Sequence, residues 1–266
     1  MLATLSLRNL LGGRIVKGKI TVVPVAHSSA YDLGQRFGAD GSDMARICPG
    51  KKDGTASEQE AWQLSALIQA SDYLIDLHTG GRLFNIYPLA GYMLHQNAEI
   101  LEQQRKMAIA FGLPVIWGSE SSLNGRTLSV ARDADVPAIY VEFGGSGPVN
   151  MQIVFSYTRG CMSVLQLLGM VNDCPYAPEK EQYFLEDNAD GSGYLQGMLP
   201  SPSDGIFICD VVPGQRVQQS ERLGNVIDPF SAQSEEVLAD KSGIMLFTRS
   251  DPRVKKGDSL GGILSV

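Results

Sequence analysis

Tyr73-Leu74-Ile75-Asp76-Leu77-His78-Thr79-Gly80-Gly81 decides the fold. Five residues dominated by apolar side chains read as a strand buried in a sheet. The strand delivers one histidine at its end, and two glycines then let other groups approach closely. A second stretch, Tyr140-Val141-Glu142-Phe143-Gly144-Gly145, repeats the arrangement with a carboxylate in place of the imidazole. Between and around these strands lie helical patterns. Ser57 and Glu60 are spaced as a capping box ahead of Ala61, Leu64, Leu67 and Ile68. A helix over Ala98 to Phe111 stops at Gly112 and feeds the strand Pro114-Val115-Ile116-Trp117. Leu2, Leu5, Leu7, Leu10 and Leu11 recur near helical spacing, Ile20 to Val25 reads as a further buried strand, and a last helix covers Met151 to Met170. Helices alternating with buried strands predict an α/β sheet flanked by helices, whose functional groups collect at the carboxyl ends of strands.

From about Glu181 the texture changes to short strands punctuated by Gly and Pro, so a first domain is expected over 1–180 and a β domain over 181–266. Within the second, Gly205-Ile206-Phe207, Val217, Leu223-Gly224 and Val226 are echoed by Gly243-Ile244-Met245, Val254, Leu260-Gly261 and Ile263. Two related half-motifs predict a small barrel-like sandwich. The pattern is similar to biotinyl/lipoyl-type domains. Lys241 lies in the loop opening the second half-motif without a Met-Lys-Met hairpin, so it reads as a solvated turn lysine rather than a carrier.

The 266 residues, 44% hydrophobic, suffice for one full core and a smaller second body. A net charge of −7 with no Lys/Arg cluster argues against a nucleic-acid partner. No apolar run reaches the ~18–20 residues of a membrane span, and no secretory leader pattern opens the chain, so a cytoplasmic protein is expected. Cys48, Cys161, Cys174 and Cys209 form no CxxC pair and read as free thiols.

Three groups of residues could carry chemistry. His78 can bind a metal through one ring nitrogen, the competing reading being a hydrogen-bonded structural histidine. Glu142 can serve as a general base, or can cap a loop or pair with an arginine. The Gly/Asp-rich loop from Arg36 to Gly50 carries Arg36 and Arg46, whose forks suit carboxylates and oxyanions.

Taken in order, Val23-Pro24-Val25-Ala26, the Arg36–Gly50 loop, Asp76 to Gly81, Gly125-Arg126-Thr127-Leu128 and Val141-Glu142-Phe143-Gly144 resemble the succinylglutamate desuccinylase/aspartoacylase family of carboxypeptidase-like zinc deacylases. The resemblance covers nearly the whole chain. It implies a carboxypeptidase-like mixed sheet flanked by helices, a C-terminal β domain, and zinc-dependent hydrolysis of the amide bond of a small N-acyl amino acid. It implies His78 as the third zinc ligand, Glu142 as the base, Arg36 as the oxyanion arginine, and Arg46 and Arg126 as substrate-carboxylate arginines. Two departures stand out. Ala45 replaces the asparagine usual beside Arg46, and the family's His-Gly-x-Glu motif, source of the first two zinc ligands, is missing. Met1 is therefore expected to be an internal methionine lying just after that motif. His27 and His95 are the remaining histidines, and only His27, just past Val25, was a candidate replacement ligand. The alternatives are a non-catalytic protein binding a small carboxylate or a partner on the same fold, and a β domain that works as an oligomerisation module in a homo-oligomer.

Overall fold

The computed structural model describes residues 1–172, 182–193 and 198–265. The boundary expected at 180–181 and Cys174 lie outside the described residues. The chain divides into two compact units. The first comprises Met1–Leu77, Ala90–Val141 and Asn150–Gly191, and the second His78–Leu89, Glu142–Val149 and Ser192–Val266.

The first unit contains helices α1 (Leu2–Leu11), α2 (Ser28–Asp32), α3 (Met44–Ile47) and α4 (Ala56–Gln69). Along the chain strands β1 (Leu74–His78) and β2 (Phe84–Met93) follow, then α5 (Ala98–Phe111), β3 (Val115–Ser119), α6 (Thr127–Asp133), β4 (Ala138–Gly144), α7 (Met151–Leu167) and β5 (Tyr183–Asp187); of these, His78, Phe84–Leu89 and Glu142–Gly144 belong to the second unit. β1 pairs with β4, β4 with β2, β2 with β3 and β3 with β5. The sheet is mixed. Backbone bonds from Leu74 N to Pro137 O (3.1 Å) and from Gly80 N to Gly144 O (3.0 Å) join β1 and β4 start to start and end to end, so the two run parallel. β2 opposes β4: the buried amide of Gln104 on α5 binds Met93 O (2.9 Å) at the end of β2 and Ala138 N (3.2 Å) at the start of β4. β5 lies parallel to β3 from Val115↔Tyr183 to Ser119↔Asp187. Its Glu186 accepts from Tyr92 Oη (2.6 Å) and from both Nε and Nη2 of Arg105 (2.8 and 2.7 Å). That fork holds Glu186 below the ordinary carboxylate range, while burial and the neighbouring carboxylate push the Tyr92 phenol up.

α5 ends as its sequence requires, on Gly112 in the left-handed region at φ 77°. α1 buries Ala3, Leu7 and Leu11, and Thr158 of α7 donates to Ala3 O (3.4 Å). Two sequence expectations change. The box that caps α4 is Thr55–Glu58, two residues before the expected pair, because Ser57 and Glu60 are engaged elsewhere. Ser57 is committed to Asp40 and His27, and Glu60 accepts from Ser28 N (3.0 Å). Ile20 to Val25 forms no strand. β-branched residues favour a strand only where a neighbouring edge takes up the ladder bonds; among the described residues none does so here, and Val23 is exposed.

The second unit explains the internal repeat. It adds β6 (Gly205–Cys209), β7 (Arg216–Val217), β8 (Arg222–Ile227), β9 (Ser234–Leu238), β10 (Gly243–Arg249), β11 (Arg253–Val254) and β12 (Gly261–Leu264). Each half-motif exchanges its short middle strand with the other. β7 pairs with β10, and β11 pairs with β6, while β6–β8 and β10–β12 form equivalent antiparallel pairs. The echoed residues are those that point inward. Phe207, Val217, Leu223 and Val226 pack in one cluster with Met245, Val254, Leu260 and Ile263. β10 also pairs with the first residues of β2 (Phe247↔Ile86), and Phe84 and Phe247 meet edge to face at 4.9 Å.

Candidate active site

β1 and β4 deliver the two strand-end residues that the sequence singled out. The bond from Leu74 to Pro137 sets Leu74 opposite Ala138, and the bond from Gly80 to Gly144 sets Gly80 opposite Gly145, so β4 gains one residue on β1 between the two, in the stretch that holds His78 and Glu142. His78 and Glu142 are both half-buried and open the second unit, one after Leu77 and the other after Val141. The glycines that follow are required by packing. A Cβ on Gly80 would stand 2.1 Å from Phe84 O, and one on Gly145 would stand 1.7 Å from the same oxygen. The chain can therefore fold back beside the imidazole and carboxylate only with glycine at these positions.

The arginines belong to the first unit. Arg36 is half-exposed and donates through Nε to Asp43 (2.9 Å), leaving its Nη nitrogens for another acceptor. Arg46, at the third position of α3, is exposed and donates to Ala45 O (2.7 Å). Arg126 is half-buried at the start of α6, where its backbone N–H donates to Ser129 Oγ (2.9 Å) and its carbonyl accepts from the same hydroxyl (2.7 Å). The structure brings the segments of Arg46 and Arg126 together. Cys48 N donates to Gly125 O (3.1 Å), and a Cβ on Gly125 would stand 2.5 Å from Arg46 O. A depression of about 340 Å³ lined by Cys48, Pro49, Gly125 and Ser129 among others borders this junction. Thr127 donates to Asp76 on β1, which fixes the start of α6 against the sheet.

Sequence reasoning passed over Glu120 and Asp40, and assigned Ser57 to capping. Glu120 follows β3 directly and is 4% exposed. Burial pushes its carboxyl up, but bonds from Ser122 and the Gly191 backbone and the charge of Arg126 outweigh that and hold it lowered. A polar residue ending an apolar strand, the signature that exposed His78 and Glu142, was present at Glu120 as well. Asp40 accepts from Ser57 Oγ (2.8 Å) and Ser57 N (3.1 Å), and Ser57 Oγ meets His27 Nε2 at 2.8 Å. Side-chain bonds from Thr55 and then Ser57 hold Asp40 well below the usual carboxylate range. The trio pins the centre of the arginine loop.

A three-ligand zinc centre needs convergent donors. Among the described residues no three His, Cys, Asp or Glu side chains converge in that way. His27 is taken up by Ser57, and His95 lies 3.6 Å from Asp135 and 3.3 Å from Arg132 O. The described donor set does not fit a zinc centre.

A mixed sheet whose parallel neighbours β1 and β4 carry an imidazole and a carboxylate near their carboxyl ends, with a β sandwich, defines a carboxypeptidase-like α/β fold. Residues 3–168 match the succinylglutamate desuccinylase/aspartoacylase catalytic domain, and the chain belongs to that family. It is 29% identical over 259 residues to the N-alpha-acetyl-L-2,4-diaminobutyric acid deacetylase of Halomonas elongata, covering 94% of this chain and 73% of the relative. The product-bound ectoine utilization protein EutE (DoeB) from Ruegeria pomeroyi shares its fold at a TM-score of 0.89 and 20% identity, over 100% of this chain and 81% of that one. A succinylglutamatedesuccinylase/aspartoacylase from Rhodobacter sphaeroides matches at a TM-score of 0.87 and 21% identity, over 99% and 81% of the two chains. Among the described residues no helix is long and apolar enough to cross a membrane.

Proposed function

We propose that this chain binds a small N-acyl amino acid and acts on its amide bond as a cytoplasmic deacylase, with turnover limited by the donor set around His78. What supports the reading is that the parallel neighbours β1 and β4 carry His78 and Glu142 near their carboxyl ends, each ahead of glycines. Residues 1–180 form the catalytic part of this reading and 181–266 a β domain. Glu142 takes a proton from water as the oxygen adds to the acyl carbon, and returns it to the leaving nitrogen as the C–N bond breaks, giving a carboxylic acid and a free amine. Arg36 stabilises the developing oxyanion through its Nη nitrogens, and Arg46 and Arg126 hold the substrate carboxylate. A carboxylate can still be gripped where the water is poorly activated, so binding outlasts catalysis.

The test combines metal analysis, calorimetric binding and amide hydrolysis over N-acetyl and N-succinyl amino acids, including N-alpha-acetyl-L-2,4-diaminobutyric acid. The reading expects substrate binding that Arg46→Ala weakens, zinc well below one per chain, and slow release of amine abolished in Glu142→Ala. Stoichiometric zinc with fast Glu142-dependent turnover overturns the limitation. Loss of neither binding nor turnover in the Arg46 and Glu142 variants overturns the site.

A further inference from the structure

The outer face of the β11–β6–β8–β9 sheet is the surface of the second unit that its own core does not use. Phe207, Val226, Val237 and Val254 point inward from these strands. Their neighbours therefore point outward: Ile206 (43% exposed), Ile208 (49%) and Leu238 (46%), with half-buried Ile227. The ladder places Arg253, Ile206, Ile227 and Ser234 in one row, and Ile208, Asn225 and Glu236 in the next. The face is thus apolar at its centre, basic at the β11 margin and acidic at the β9 margin. Phe230, 98% exposed, stands at the tip of the β8–β9 hairpin, where Asp228 accepts from Phe230 N (2.8 Å) and Ser231 Oγ (2.6 Å) and stiffens the turn.

Arg253 and Glu236 are not paired with each other within one chain. They lie three strand spacings apart, about 14 Å, beyond salt-bridge distance. We infer that this face docks a second copy of the chain, through a two-fold axis lying in the interface along the strands. That operation lays the β11 margin of each copy over the β9 margin of the other. Arg253 then faces the strand that carries Glu236, one dyad away and within an arginine's reach, and does so twice. In the same stroke Ile206 covers the partner's Ile227, and Ile208 the partner's Asn225. The same patch on both copies is what an isologous dimer requires, and aligned sheet-on-sheet packing is its ordinary geometry. Four strands by about five residues give a face on the order of 300 Å² per copy, below the ~800 Å² per partner of a standard interface. The dimer is therefore a dissociating one, with a Kd on the order of micromolar to hundreds of micromolar.

Sedimentation velocity of the full chain from about 1 to 500 μM tests the inference. The weight-average mass is expected to climb from the 28.7 kDa of one chain toward twice that value. Ile206→Asp should raise the Kd at least about tenfold. Arg253→Glu and Glu236→Arg should each weaken association, because like charges then meet, and the double exchange should restore it. All three positions are solvent-facing, and circular dichroism checks that each variant stays folded. A mass that stays monomeric throughout, an association indifferent to Ile206→Asp, or a double exchange no better than the single changes overturns the two-fold docking.

Discussion

Ser57→Ala is the substitution that most directly tests the anchoring of the arginine loop. Ser57 is fully buried at the second position of α4. Its hydroxyl proton goes to Asp40 Oδ1, so the 2.8 Å contact with His27 assigns a proton to Nε2 of that ring. Removing Oγ leaves this N–H only the 3.5 Å contact with Ser29 Oγ, at the limit of hydrogen-bond distance, and so largely stranded. His27 is itself only 9% exposed, and its Nδ1 already lacks a partner. A stranded buried donor costs about 1–3 kcal/mol, offset by roughly 0.5 kcal/mol from the better helix propensity of alanine. The cap on Thr55 is untouched, and the backbone N–H of residue 57 still reaches Asp40 Oδ2. A net loss of about 1–2 kcal/mol is expected, or a fall of ~2–8 °C in Tm for a chain of this size. Scanning calorimetry at pH 7 measures it. The pH dependence follows from Asp40, whose folded pKa is depressed by Thr55 and Ser57. A depressed carboxyl stabilises above its unfolded pKa of about 4 and loses that contribution as pH falls toward the folded value. The acid limb of the stability curve should therefore flatten in Ser57→Ala relative to the parent. A loss under about 0.3 kcal/mol at pH 7, with an unchanged acid limb, would refute the assignment of Ser57 as the hub.

Three further outcomes are expected. Gly160→Ala puts a Cβ 2.4 Å from the buried ring of Phe111, so overpacking of about 1–3 kcal/mol should exceed the ~1 kcal/mol gained in helix propensity, and urea denaturation should report a net loss. Leu223→Ala and Leu260→Ala, equivalent positions in one cluster and each 2% exposed, should each cost about 2–5 kcal/mol and combine non-additively in the double variant; a near-zero cost for either breaks the shared-core account. Burial, with the charge of Asp76 second, pushes the Cys48 thiol up to about 11, and burial pushes Cys161 up to about 12. At pH 8 their thiolate fractions are about 10⁻³ and 10⁻⁴, so peptide-mapped iodoacetamide labelling should spare both until denaturant is added.

Much of the fold was legible because the sequence stated both the period and the punctuation. Helix α5 runs from Ala98 to the glycine that stops it, and β4 from Ala138 to the glycine that ends it, as the pattern required. The repeat survived for a physical reason: the echoed positions are those packed in one core, where a change of volume is felt, while the intervening turns are free to diverge. What stayed hidden was non-local. The exchange of β7 and β11 between halves cannot be read from spacing, because two-residue strands carry no period. The run Ile20–Val25 misled for the converse reason, since strand propensity expresses what a neighbour completes rather than what the segment does by itself.

The candidate site divides along the same line. His78 and Glu142 could be found because each ends an apolar strand before paired glycines, and the close approach of Phe84 O shows why alanine could not stand there. Local pattern also marked the arginine loop, but not its anchor. Asp40, Ser57 and His27 lie 13 to 30 residues apart and share no motif, and Ser57 had been assigned to capping, which Thr55 performs. A serine near a helix start has two uses for its hydroxyl, and only the position of Asp40 in space decides between them. Networks of this kind are satisfied across the fold rather than along the chain. The residues that touch a substrate can therefore be nominated from sequence by type and position, whereas the groups that hold them still come into view only when the backbone is in place.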